Sequence, residues 1–540
     1  MLVAALKLCR AHLHDQQLFP YPFLTHSSFA IPRKCSLNHL PLLISEKTSI
    51  YRPISSGASR NDLLKESQTY QGDNLKSRIF RLRFPKRSAT EALQKWVDEG
   101  NKVMVSELRQ ICKGLRKSQR HKHALEILTW MEAQDSFRMS APDHAIRLEL
   151  IIKINSLEEA EEYFENIPNT SQKAACLPLL HSYVKERATK KAETLMLKLY
   201  GLGLSVSPHP FNEMMKLYIA TSQFEKVLFV IRQMKQNMIP RNVLSYNLWM
   251  NAYGQMSGIE SVETVYKEMI NDKNVEVGWS TLSTLANIYI RSGLVDKAIM
   301  TLRTAEKKLS MRNRLGYFFL ITLYASLNKK DGVLRLWEAS KAVAGRITCA
   351  NYMCILLCMV KVGDIEEAER VFAAWESECG KYDIRVPNVL LGAYMRNGWM
   401  DKAESLHLRT LEKGGCPNYK TWEILMEGWV KSQKMDKVFN AMKKGFPLLK
   451  HCDWRPSPTI VVAIAEYFEK QENVEDAKRY VKVLRRLGLT SLPLYKSLLR
   501  MHVCAKKPAL DILKMIEKDE IKMDEEASTL IQCLSKIECY

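Results

Sequence analysis

Small apolar residues return along this chain at nearly constant intervals. Ala124, Ala160, Ala192, Val227, Val262, Ala298, Val333, Ala368, Ala403, Val438 and Ala477 form one column, spaced by 36, 32, 35, 35, 36, 35, 35, 35, 35 and 39 residues. All are Ala or Val, the size that close approach between helices requires. Nine residues upstream runs a column of rings, Tyr183, Tyr218, Tyr253, Tyr289, Tyr324, Tyr394, Trp429 and Phe468, broken at Met359. A ring and a small residue repeating together every ~35 positions mark a supersecondary unit.

Within each unit the apolar positions follow a helical period. In "WSTLSTLANIYIRSG", Leu282, Leu285, Ile288 and Tyr289 fall at three-to-four spacing. After Gly293, "LVDKAIMTLRTAEKK" places Val295, Ala298, Ile299 and Leu302 on one face. Gly258, Gly363 and Gly398 repeat the break at Gly293. No stretch alternates as a strand would. The pattern therefore predicts an all-α chain of about eleven helical hairpins, starting near residues 105, 141, 173, 208, 243, 279, 314, 349, 384, 419 and 458. One hairpin cannot bury its apolar face alone, so neighbours must stack into a superhelix with a long concave surface.

The flanks read differently. Residues 1–60 hold seven basic and two acidic residues among hydroxyls and prolines, the composition of an organelle transit peptide. Residues 61–104 read as a basic linker with a short leading helix capped by Ser88 or Thr90. Lys76–Arg87 holds six basic residues and no acidic one. Residues 501–540 read as a helical cap. No apolar run approaches the ~18 residues of a membrane helix, so no membrane insertion is expected.

Charge adds a partner class. The chain carries 80 Lys+Arg against 59 Asp+Glu, and beyond residue 60 it is still basic, 73 against 57. That excess favours a polyanion. The thirteen cysteines are scattered, and Cys354 with Cys358 on one face cannot fill a metal shell, so neither metal nor cofactor is expected. Clustered carboxylates, a nucleophile–histidine arrangement and a Gly-rich phosphate loop are all missing from the sequence. No catalytic residue is expected, and the chain reads as a non-enzyme.

Four segments carry a resemblance. "VLSYNLWMNAYGQ", "PHPFNEMMKLYIA", "WSTLSTLANIYIRSGLVDKA" and "IRVPNVLLGAYMRNGWMDKA" resemble the pentatricopeptide pattern Val-x-Thr-Tyr-Asn-x-Leu-Ile followed by Gly-x-x-x-x-Ala. "GGCPN" at Gly414–Asn418 resembles that family's Gly-x-x-Pro-Asp ending. The likeness spans roughly residues 105–500 and is clearest from Pro208 to Asn418. The chain looks like the short plant organellar P-type members. This resemblance implies a right-handed superhelical solenoid of helix-turn-helix repeats and a monomeric protein. It implies single-stranded organellar RNA as partner, with ribosomal or RNA-processing proteins as further candidates. It also implies a role in RNA processing, stability or translation, in the mitochondrion ahead of the chloroplast. No His-x-Glu with a downstream Cys-x-x-Cys occurs, so deaminase chemistry is not expected.

In that family one repeat reads one base, through the fifth residue of the first helix and the last residue of the unit. Carried over, Asn212 with Asn242 and Asn388 with Asn418 resemble pyrimidine readers, and Ser283 with Asn313 an adenine reader. Asn247 implies a pyrimidine, with Gly278 in place of its partner. Units carrying Phe318, Met353 and Glu423 depart from the pattern. The competing reading is that Asn and Ser near helix starts are N-caps. The thirteenth residue is basic in eight of eleven units, including Arg291, Lys361, Arg396 and Lys431. These four are candidate phosphate contacts; the alternative is complementing helix dipoles. A protein-interaction or mitoribosome-associated scaffold is the second functional reading. The first requires Asn212, Asn247, Ser283 and Asn388 to line one groove rather than the apolar interior.

Overall fold

The computed structural model describes residues 74–537, apart from 83–86, 135, 202, 204–206, 257 and 452–454. The expected transit peptide lies outside them. Regular structure among the described residues is 27 α-helices and the short 3-10 helix Phe446–His451. The chain divides into two compact bodies, one ending at Thr301 and the other beginning at Leu302, inside the helix Val295–Glu306.

The first body opens with helices Leu75–Arg81 and Ala89–Asp98. Five hairpins follow: Val105–Lys117 with His121–Glu132, Ala141–Ile154 with Leu157–Asn166, Asn169–Glu186 with Thr189–Gly201, His209–Ala220 with Phe224–Gln236, and Val243–Met256 with Ile259–Asn271. Trp279–Arg291 closes this body as the first helix of a sixth hairpin. In the second body the hairpins are Leu315–Ser326 with Lys330–Lys341, Cys349–Lys361 with Ile365–Glu378, Pro387–Arg396 with Met400–Glu412, and Tyr419–Lys431 with Met435–Gly445. Pro458–Lys470 with Val474–Arg486, then Leu492–Cys504 with Leu510–Lys518, continue the series to a last helix, Glu525–Ile537.

Three local expectations need correction. The third unit begins at Asn169 rather than near 173, because Pro168 stands extended at the N-cap position and sets the start there. Residues 75–81 are helical where linker was expected, while the leading helix forms over Ala89–Asp98 with Ser88 as its N-cap. Leu75, Ile79 and Leu93 are buried with Leu108, Ile111 and Leu115 in one core, and Arg78 pairs with Glu99 at 2.6 Å. Residues 492–518 form a further hairpin where a cap was expected to begin at 501, since Leu494, Leu498, Ile512 and Ile516 supply the same buried stripe.

Two features make the hairpin. The small-residue column is fully buried from Ala124 to Val438 and 5% exposed at Ala477, so each second helix meets its neighbours at its thinnest point. The turn between the two helices passes through left-handed backbone, with Gly293 at φ 75° and Gly363 at φ 81°. Ser222, Asn328, Gln433 and Lys506 hold the corresponding place at φ 59°, 53°, 58° and 47°, which costs a side-chain-bearing residue about 1–2 kcal/mol.

The ring column joins neighbouring hairpins. Tyr289 donates its hydroxyl to Glu263 of the preceding second helix at 3.0 Å, and Lys297 reaches the same oxygen at 2.7 Å. The motif recurs as Tyr218–Glu193–Lys226, Tyr394–Glu369–Lys402 and, with an indole donor, Trp429–Glu404–Lys437. In Glu193, Glu263 and Glu404 the lysine hydrogen bond leads in holding the carboxyl below its ordinary range. That stabilisation is therefore present above the ordinary carboxylate range and lost as pH falls through the depressed value.

At Tyr324 the clasp is rebuilt. Gly332 takes the lysine's place beside Val333, the ring lies over it, and Arg335 reaches Glu306 at 2.8 Å instead. A Cβ on Gly332 would meet that ring at 2.5 Å. Gly332→Ala should therefore destabilise by about 1–3 kcal/mol through overpacking, against the ~1 kcal/mol that helix propensity alone would add. Gln433→Gly should stabilise by about 1 kcal/mol by relieving left-handed strain. Thermal melting of the two variants checks both signs.

Candidate nucleic-acid interface

From Ala141–Ile154 onward, each first helix within a body packs against the next first helix, and most pack against their own partner as well. First helices are consequently buried on most sides, as in the unbroken buried run Ser245–Ala252. The fifth residue of a unit points into this seam. Asn212, Asn247, Ser283 and Asn388 are 1%, 2%, 6% and 9% exposed, so none stands in an open groove. Their neighbours in the seam are nevertheless polar. The groove expectation is thus corrected to a buried polar seam, produced by direct stacking of first helices.

Two junctions show its construction. Asn212 donates Nδ2–H to Asn242 Oδ1 at 3.1 Å, while its own Oδ1 accepts from Ser245 Oγ at 2.8 Å. Asn242 Oδ1 also accepts the Ser245 backbone N–H at 3.0 Å. The second junction repeats this with Asn388, Asn418 and Thr421. Asn388 Nδ2 lies 3.5 Å from Asn418 Oδ1, and Asn418 caps its helix through the Thr421 N–H at 3.0 Å. The closing asparagines are therefore caps, and the fifth-position amide rests on the cap.

Where the pattern departs, the coupling persists with other chemistry. Arg109 at a fifth position grips Asp143 through two nitrogens, at 3.0 and 2.6 Å. Glu423 is held by Lys420 and by the Ser457 backbone N–H, and burial pushes its carboxyl up. Phe318 and Met353 are buried, so they present no apolar surface to a partner. The hydroxyl of Ser283 turns back to donate to the Trp279 carbonyl at 2.7 Å. Asn313 is exposed and accepts the Leu315 N–H at 2.8 Å.

Sequence reasoning missed the third residue of the following unit: Asp143 and Ser245 bond the fifth residue directly, and Thr421 reaches Asn388 through Asn418. Its recurring polarity, shared by Thr281 and Asn351, was the available signal. At the junction that has Gly278 in place of an asparagine, Asn247 Oδ1 and Thr281 Oγ1 are both buried without a hydrogen-bond partner. Asn388 Oδ1 is likewise unpartnered.

The thirteenth residues divide. Lys153 is neutralised by Glu149 at 2.9 Å. Lys361 instead reaches Ser326 Oγ at 3.2 Å, linking thirteenth positions of adjacent units, and Arg291 donates to Asn251 Oδ1 at 3.1 Å. Neither Arg396 nor Lys431 forms an ion pair among the described residues, and both are exposed. Desolvation lowers the pKa of Arg291 and Lys361, an incomplete solvation that an arriving anion would offset.

Comparison with known proteins fits this architecture. The pentatricopeptide repeat domain model matches residues 194–256, and the PPR repeat model matches residues 244–273 and 386–415. A pentatricopeptide repeat-containing protein of Arabidopsis thaliana is 57% identical over 477 residues, covering 87% of this chain and 96% of that protein. The chain belongs to the pentatricopeptide repeat family. A mitochondrial pentatricopeptide repeat-containing protein of the same plant is 32% identical over 77% of this chain and 85% of its own length. Among solved structures, the pentatricopeptide repeat protein PPR10 in complex with an 18-nt psaJ RNA element is 15% identical. The likeness covers 89% of this chain and 85% of that one, with a TM-score of 0.39, too loose to transfer positions.

In this pentatricopeptide repeat protein the cap at Asn418 is energetically testable. Asn418→Ala removes the cap and strands the Asn388 amide, so it should cost about 1 kcal/mol or somewhat more in chemical denaturation.

Proposed function

We propose that this chain binds single-stranded RNA along its first helices, preferring certain bases, as a non-catalytic factor in organellar RNA processing, stability or translation. The observation that carries this reading is the pair of fifth-position carbonyl oxygens, on Asn247 and Asn388, buried without partners. Leaving such an acceptor desolvated and unpaired costs about 1–3 kcal/mol. An amino or imino donor on a base edge would satisfy it, and both pyrimidines offer one, at N4 of cytosine or N3 of uracil. Thirteenth-position cations beside the seam supply the complementary, sequence-blind hold on phosphate.

Burial adds a requirement. A base edge reaches these oxygens only if adjacent first helices part, so binding is coupled to a change in spacing between hairpins. The mechanism is steric and electrostatic: the occupied segment is shielded and other factors are admitted or excluded. The mitochondrion is the proposed site of action, supported by the composition of residues 1–60 and by relatives named as mitochondrial.

Filter binding of organellar RNA pools across a salt series tests the reading. Asn247→Ala should relax preference at one base by a few fold, whereas Lys361→Ala should weaken all RNAs alike and flatten the salt dependence by about 0.7, the share of one single-strand phosphate. No RNA retention at low salt would overturn RNA binding in favour of a protein scaffold. Loss of affinity for one base alone on removing Lys361 would overturn the division of roles.

A further inference from the structure

The second-helix side of the last hairpins concentrates basic residues. Upstream, cations on one second helix are matched across the stack by carboxylates on the adjacent one. Lys191 meets Glu161, Lys226 meets Glu193, Lys297 meets Glu263, Lys402 meets Glu369 and Lys437 meets Glu404, all at 2.6–3.0 Å. The helix Val474–Arg486 outruns this matching, with five basic residues (Lys478, Arg479, Lys482, Arg485 and Arg486) against Glu475 and Asp476.

Only part of that charge is answered. Lys478 pairs with Asp511 at 2.8 Å, Arg485 with Asp519 at 2.7 Å, and Arg479 with Asp476 of its own helix at 3.2 Å. Lys482 and Arg486 are exposed and have no ion-pair partner among the described residues, and the same holds for Lys514 and Lys518 on the next second helix. These charges are clustered. The pairs Lys478–Asp511 and Arg485–Asp519 tie this helix to the next second helix and its following turn, and Asp511 also feels the positive charge of Lys482 and Lys514. Such mutual repulsion persists in a folded surface only at a cost, which a polyanion bound there would remove.

We infer that Lys482, Arg486, Lys514 and Lys518 form a second RNA-contacting surface, on the opposite helices from the base-facing seam, that grips the phosphate backbone of folded or duplex RNA without reading sequence. The apolar stripe of its main helix favours RNA over a membrane. Val474, Ala477, Tyr480, Val481 and Leu484 are all spent on the core, leaving no apolar face to enter acyl chains. Readout of bases is not available to it either, because the exposed residues are cations, aliphatics and the carboxylates Glu475, Asp511 and Glu517, with no ring for stacking. The inference does not depend on base reading at the seam.

The test uses the full chain, a short mixed-sequence RNA duplex and vesicles containing cardiolipin. A triple variant, Lys482→Gln with Arg486→Gln and Lys514→Gln, alters only exposed side chains and should melt as the wild type does. Duplex affinity should fall about tenfold or more, and the slope of log K against log salt should drop by about 0.9 for each phosphate left without its cation. Lys361→Gln with Lys431→Gln, at the seam, should leave duplex binding unchanged while weakening single-strand binding. Unaltered duplex affinity and slope in a triple variant with wild-type melting would overturn the proposal. So would wild-type binding to the vesicles but not to the duplex.

Discussion

A carboxylate shared between a ring hydroxyl and a lysine holds one hairpin to the next, and much of the structure depends on that contact being repeatable. Glu193, Glu263, Glu369 and Glu404 each sit one residue after the small column residue, and the partner lysines sit one residue before it in the following unit. The small column brings the helices together and the clasp sets their register. Each pair is exposed enough to be worth little alone. Set against a buried ring edge and repeated at a constant offset, the pairs specify which hairpin faces which.

Fold class and period were readable because burial forces them. An Ala or Val is needed wherever a second helix crosses its neighbours, and most first helices end in a left-handed turn. Gly258, Gly293, Gly363 and Gly398 advertise that turn, whereas Ser222, Asn328 and Gln433 perform it without announcing it. The same limit explains the misplaced start at Asn169 and the unrecognised hairpin at 492–518. At both ends the local stripe persists while the diagnostic residues do not.

The candidate site was legible by position and not by environment. Asn212 and Asn388 were picked out by offset alone, and the structure puts each beside its closing asparagine. Their burial was invisible, because it arises from first helices stacking on one another rather than from anything in their own sequence. The partner at the third position of the next unit escaped for the same reason: its importance appears only once two units are adjacent. Ser283 shows the opposite case, a residue of the right type whose hydroxyl is spent on its own helix.

The link from a fifth residue through a closing asparagine to the Ser245 or Thr421 beyond it makes neighbouring units share hydrogen-bonding atoms. On the proposed reading, a substitution made to recode one nucleotide also alters how the following helix begins. Swapping residues repeat by repeat will therefore not behave as an alphabet of interchangeable letters. Thermodynamic coupling between consecutive substitutions is the natural quantity for anyone retargeting this scaffold, with the third position chosen together with the fifth.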